Sequence, residues 1–246
     1  MSQYEMMFRR RSIRKYDAGP MTQEDLKRVE GLFSTLKPLR PDIRTELILA
    51  DRKETGGRFD ENYVLFYSEK KEHYEANAGF MLEQLDLMLE ESGVGVCWYG
   101  MAKPETKTLH GLDFVIMLAI GKLDETLLRT SDGEYSRKEL SDIWTGKAMP
   151  EVARAVRLAP SACNSQPWRF LAAEDKLEIW QETKYMTIMP PQKKAYFNAI
   201  DMGILLCFLE LSLAHEGISF ERKLCKPNDK QGTRLFVAEY ALKSST

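Results

Sequence analysis

The residues best suited to chemistry lie in Leu158 to Phe170, which reads Leu-Ala-Pro-Ser-Ala-Cys-Asn-Ser-Gln-Pro-Trp-Arg-Phe. Pro160 and Pro167 cannot continue a helix, and each biases its predecessor toward extended geometry. A helix ending near Leu158 must therefore give way to a rigid turn and then a strand from Trp168. Ser161, Asn164, Ser165 and Gln166 fall on that turn. The Asn and Gln amides each offer one acceptor and two donors, a set that can read a flat heterocycle with alternating donors and acceptors. The same side chains could instead bond the turn's own backbone. A second candidate is the run Arg9-Arg10-Arg11-Ser12-Ile13-Arg14-Lys15-Tyr16. Its guanidinium forks and hydroxyl suit a phosphate dianion, and a solvated charge run is the plain alternative.

These residues need a scaffold. Ser2 with Glu5 is a capping-box pattern opening a short helix to about Arg9, and Thr22 precedes acidic residues opening a helix to about Thr35. Glu46 to Ala50 and Tyr63 to Tyr67 read as strands. Glu72 to Ser92 reads as a long helix with an apolar face of Tyr74, Ala78, Met81, Leu82, Leu85 and Leu89, and Gly93 is placed to cap it. Val94 to Trp98 and Phe114 to Ile120 are apolar enough for buried strands. Lys193 to Glu216 is a second long apolar helix. Gly79 and Gly93 are matched by Gly203 and Gly217, each displaced by 124 residues. Phe114 to Lys122 is answered by Leu235 to Lys243, and Leu26 to Leu32 by Val152 to Leu158. The recurrence reads as an internal duplication, with halves at 1–128 and 129–246.

Composition narrows the classes. The chain has 246 residues, is 43% hydrophobic and 29% charged, and carries a net charge of -2, which argues against general nucleic-acid binding. The apolar runs Phe114 to Gly121 and Met202 to Ala214 are too short to span a bilayer, so no membrane segment is expected. No apolar stretch follows the N-terminal charges, so no secretory signal is expected and a cytoplasmic location is the default. Cys97, Cys163, Cys207 and Cys225 form no Cys-x-x-Cys pair and read as reduced, and the three histidines have no metal-ligand spacing. Cys163 reads as a small filler, and Trp98 and Trp168 as packing.

Leu-Ala-Pro-Ser-x-x-Asn-x-Gln-Pro-Trp together with the Arg-Arg-Arg-Ser-Ile-Arg-Lys-Tyr run resembles the FMN-dependent nitroreductase family. That resemblance implies an α+β fold and FMN as cofactor. It places Pro160, Ser161, Ala162, Asn164 and Gln166 near the flavin ring, and Arg10, Arg11, Ser12 and Arg14 near its phosphate. Arg137 and Lys138 resemble the family's second basic pair. Gly93-Val94-Gly95 resembles a family turn near the flavin edge, although a helix cap leading into a strand explains it equally. Family members usually carry the two motifs within about one helix of each other, whereas here Arg14 and Pro160 are more than half the chain apart. Family dimers build each site from both subunits. A duplicated chain with one surviving complementary set, forming a single-chain pseudodimer that is monomeric or associates further, accounts for the displacement. The implied activity is hydride transfer from NAD(P)H through FMN to a small nitroaromatic, quinone or similar acceptor, with no side chain as general acid. A flavin reductase or reductive dehalogenase, a flavin-binding protein without turnover, and a basic interaction module are the alternatives.

Overall fold

The computed structural model describes residues 2–16, 18–59, 62–226 and 229–243. It divides into two compact units, Met1–Ser131 and Asp132–Thr246; the sequence reading put the division after residue 128.

In the first unit, α1 (Gln3–Met7) and α2 (Gln23–Phe33) both open with capping boxes, Ser2 with Glu5 and Thr22 with Asp25. Each pair satisfies two otherwise orphaned N–H groups at the helix start. β1 (Thr45–Ala50), the short α3 (Arg52–Thr55) and β2 (Asn62–Ser68) follow. Next come α4 (Tyr74–Glu91), β3 (Val94–Tyr99), β4 (Thr108–Leu109) and β5 (Leu112–Lys122). The sheet runs β1-β2-β5-β3 with β4 also on β5, and all its pairings are antiparallel. Tyr63 to Ser68 are buried without alternation, the mark of a strand covered on both faces. Tyr63, Leu65, Tyr67, Cys97, Met117 and Ala119 form a core cluster on one side.

Two expectations shift here. The helix read as Glu72 to Ser92 starts at Tyr74, because His73 takes a left-handed conformation at φ 69° and breaks the helical path. The apolar stripe read on α4 is also not its only buried face. Glu83, Asp86 and Glu90 are buried as well, so the helix is a core element nearly all round. At its C-terminus Gly93, at φ +81°, takes the left-handed position that favours glycine.

The second unit begins with α5 (Leu140–Ile143), β6 (Trp144–Gly146) and α6 (Pro150–Arg157). A 3-10 turn, Ala162–Asn164, then leads to β7 (Trp168–Ala172) and β8 (Lys176–Glu182). α7 (Pro191–His215), β9 (Ser219–Leu224), β10 (Lys230–Gln231) and β11 (Arg234–Lys243) complete it. Its sheet runs β10-β11-β8-β7-β6 with β9 also on β11; among the described residues β6 pairs with β7 in parallel and the other pairs are antiparallel. The apolar run Met202 to Ala214 proves to be part of a 25-residue helix. By length and composition α7 could cross a membrane, with mean hydropathy 1.7 in its most apolar stretch, yet 72% of that stretch is buried inside the protein. Ile200 to Leu209 are buried without a break, as in a core helix.

Candidate functional site

In the first unit the basic run leaves α1 and lies along β3, where Ile13 N–H donates to the Val96 carbonyl at 2.8 Å. Ile13 fills the space over Gly95, where a Cβ would meet Ile13 Cγ2 at 2.9 Å. The Tyr16 ring similarly occupies the space over Gly121, and its hydroxyl donates to the Ile13 and Ala119 carbonyls at 3.0 and 3.1 Å. This lacing fixes which side chains turn in. Arg10 and Ile13 are buried, Ser12 is half-buried, and Arg11, Arg14 and Lys15 are exposed.

Arg10, the first-named phosphate candidate, is only 1% exposed. Its Nη2 donates to Asp86 Oδ2 at 3.0 Å, and its Nε lies 3.7 Å from Glu83 Oε1. Trp98 Nε1 donates to both Glu83 Oε2 (3.1 Å) and Asp86 Oδ2 (3.0 Å). Glu90 accepts the Arg11 backbone N–H at 3.3 Å. Burial pushes all three carboxyls up, Glu90 to about 9 and Glu83 well above its ordinary value, against the opposing pull of Arg10. A charge this deep serves the helix it faces. Gly93, Val94 and Gly95 act here as a helix cap, a strand start and the slot for Ile13.

In the second unit the turn is held from three directions. Arg137 Nη1 donates to Asn164 Oδ1 at 2.9 Å and Nη2 to the Leu158 carbonyl at 3.0 Å. Asn164 Nδ2 donates to the Ser136 carbonyl at 2.9 Å. Lys138 N–H donates to Gln166 Oε1 at 2.8 Å, while its Nζ donates to the Ser165 and Gln166 carbonyls, both at 2.9 Å. Gln166 Nε2 closes back on Asn164, and Gln166 N–H donates to Ser161 Oγ at 3.0 Å. From below, Asp201 on α7 accepts Ala162 N–H at 2.9 Å and the Ser165 hydroxyl at 3.4 Å. Cys163, Asn164 and Gln166 all sit in left-handed conformations, at φ 52°, 52° and 46°. Such conformations cost about 1–3 kcal/mol each and persist only where the surroundings over-determine them.

The turn thus brings Pro160, Ser161, Ala162, Asn164 and Gln166 together with Arg137 and Lys138. Gln166 is 3% exposed and braces the turn, whereas Asn164 is open to solvent. Cys163 is exposed rather than a filler, because its left-handed backbone turns it out of the core. Tyr185 flanks the turn, its hydroxyl donating to Asn198 Oδ1 at 2.6 Å, with Lys138 Nζ 5.7 Å and Lys194 Nζ 3.6 Å from its ring centre. Burial lowers the Lys138 pKa, helped by nearby Arg169, and pushes Asp201 up to about 7 against the hydrogen bonds from Ala162 and Ser165.

The sequence reading missed Asp201, Tyr185 and the Glu83-Asp86-Glu90 group. The available signals were an acid at the edge of the apolar run of α7 and three acids at helical spacing within α4.

No curated protein matches the chain. Among solved structures, a "putative nitroreductase" from Thermotoga maritima superposes with a TM-score of 0.64 at 21% identity, over 98% of this chain and 93% of that one. A nitroreductase family protein from Clostridium difficile 630 aligns at 18% identity and a TM-score of 0.49, over 61% of this chain and 100% of its own. The first of these likenesses shows that the fold is nitroreductase-like. A family model described as "Putative TM nitroreductase" matches residues 2–213, which takes in the basic run, α4 and its buried acids, the braced turn and nearly all of α7. On that match, the chain belongs to the nitroreductase family.

Proposed function

We propose that this chain binds FMN and is an oxidoreductase that passes reducing equivalents from NAD(P)H to a small electron-poor acceptor such as a nitroaromatic or a quinone. The observation that carries the reading is the braced turn, in which three non-glycine residues are held in left-handed conformations by Arg137, Lys138 and Asp201. Strain held this firmly is characteristic of ligand clamps. The donor set fits the cofactor. Asn164 sits at the surface with an amide that can exchange its bonds to Arg137 and Ser136 for a ring edge, and Ser161 and Ala162 lie half-exposed beside it. Gln166 positions, since its amide is buried and engaged. Bound FMN would supply the hydride chemistry, and the protein's part is to grip and orient it. On the first unit, Arg11, Ser12 and Arg14 keep the surface exposure that a phosphate requires, whereas Arg10 holds the α4 acids.

The visible spectrum of the purified protein, with anaerobic titration by NADH and then NADPH, tests the reading. A yellow protein bleached by either nicotinamide is expected. A yellow protein bleached by neither has a binding role, and a colourless protein that cannot be reconstituted overturns the proposal. Asn164→Ala is expected to weaken FMN up to about tenfold, the scale of one neutral hydrogen bond. Arg11→Ala and Arg14→Ala, each removing a charge-assisted bond, should weaken it about ten- to hundredfold.

We further propose that the chain is a tandem duplication of one nitroreductase-like half, and so a pseudodimer. Supporting this, the order β1-β2-β5-β3 with β4 on β5 is repeated as β7-β8-β11-β9 with β10 on β11. A stoichiometry of one FMN per chain, with a monomeric mass in sedimentation, is the expected result.

A further inference from the structure

We propose that Asp201 is the positioning residue of the Ala162–Gln166 turn, and that its state of protonation sets how firmly the turn grips a ligand. The geometry is a two-point clamp. One carboxyl group on a rigid core helix accepts Ala162 N–H at 2.9 Å on one oxygen and the Ser165 hydroxyl at 3.4 Å on the other. These contacts bracket the left-handed Cys163 and Asn164. Asp201 is only 2% exposed.

The first unit makes the same kind of contact with a group that cannot titrate. Asn77, buried on α4, accepts Arg40 N–H at 2.9 Å through its Oδ1. A neutral amide can therefore secure a loop to the long helix, and the acid in the second unit adds a charge that can appear or disappear. Among the described residues, no opposing charge is paired with it. The turn offers it Ala162 N–H and the Ser165 hydroxyl. From the segment before α7, Tyr185 sends its hydroxyl to Asn198 and lies close enough to Ser165 and Asp201 to interact with both, as a neutral phenol. On α7 itself, Lys194 lies over the Tyr185 ring. The basic residues of α6 are engaged elsewhere, Arg154 with Asp132 and Glu151, and Arg157 with the Lys138 carbonyl and Glu139. Desolvation therefore dominates and raises the Asp201 pKa to about 7.

The sign follows. The unfolded carboxyl loses its proton near 3.8 and the folded one near 7, so the folded state holds more protons in between, and this residue's contribution to stability falls as pH rises across that window. A ligand covering the turn excludes more water and favours the neutral carboxyl further. Binding then takes up a proton and weakens as pH rises through neutrality.

The inference rests on the FMN reading, and two measurements separate them. The dissociation constant of FMN, read by fluorescence quenching, is expected to weaken about fivefold between pH 6 and pH 8 in the wild type, as for a bound-state pKa raised by about one unit. Asp201→Asn should bind as the wild type does at pH 6 and show no pH dependence. A flat wild-type profile, or an unchanged slope in Asp201→Asn, overturns the proposal. If FMN binds neither protein, the cofactor reading fails and the clamp is judged on Cys163, exposed on the turn while Cys97, Cys207 and Cys225 are buried. Its rate of reaction with a thiol reagent, corrected for thiolate fraction, should inflect near pH 7 in the wild type and not in Asp201→Asn. No inflection in the wild type overturns the proposal.

Discussion

The two long helices bury their charge in different ways. α4 buries Glu83, Asp86 and Glu90 around Arg10 and the Trp98 indole, whereas α7 buries Asp201 against backbone and hydroxyl donors of a turn. In the first unit an arginine is consumed in neutralising a helix, and the segment that carries it becomes part of the core. In the second, Arg137 and Lys138 donate to carbonyls and amides, so they shape a surface turn and leave Asn164 open to solvent. The same basic chemistry stabilises core structure in one place and a strained surface in the other. Which of these it does depends on the acceptors available nearby.

The largest effect expected from this contrast is in Arg10→Ala. Removing the buried guanidinium bonded to Asp86 in this cluster should cost about 3–5 kcal/mol in denaturant unfolding, the scale of a broken buried pair. Arg137→Ala, half-buried and donating to the Asn164 amide oxygen and the Leu158 carbonyl, should cost less than half as much in stability. Equal losses would remove the distinction. Next is Gly95→Ala, which drives a Cβ to 2.9 Å from Ile13 Cγ2 and should cost about 1–3 kcal/mol by thermal melt, because Ile13 is pinned through its own backbone.

The acid cluster also makes stability depend on pH. Glu90 keeps its proton to about pH 9 when folded, against an ordinary value of 4.5, so the folded state holds more protons across that window and stability falls as pH rises through it. Glu90→Gln, which mimics the neutral form, should match the wild type near pH 4, flatten that decline, and so be the more stable of the two at pH 7. A slope unchanged in urea titrations at several pH values would place the proton elsewhere. The smallest effect expected is in Cys163→Gly. It relieves a left-handed non-glycine residue at a small entropic cost and should leave stability within about 1 kcal/mol of wild type, with any gain on the stabilising side.

Much of the scaffold was legible in the sequence, because the signals involved are local. Ser2 with Glu5 forms the box expected of it, and Thr22, read as a helix start before acidic residues, forms a second box with Asp25; each acts across three residues. Gly93 ends α4 through its own backbone freedom, and Pro160 with Pro167 forced a turn whatever lay beyond it. The short strands β4, β6 and β10 were not legible, since two or three residues carry no period. Nor was the inward turn of Arg10, whose position in a run of charges pointed outward.

The sequence by itself determined where helices begin and stop, which strands are apolar enough to be covered, and which turn carries the amides and serines. Those outcomes depend on chain stiffness and on hydrogen bonds between near neighbours. Only the tertiary structure decided that Arg10 would meet Asp86, 76 residues away, and that Ala162 would be held by Asp201, 39 residues away. A charge has no fixed role until the fold supplies its partner and removes its water, and the same removal of water shifts the protonation of Glu90 and Asp201 toward neutral pH and above.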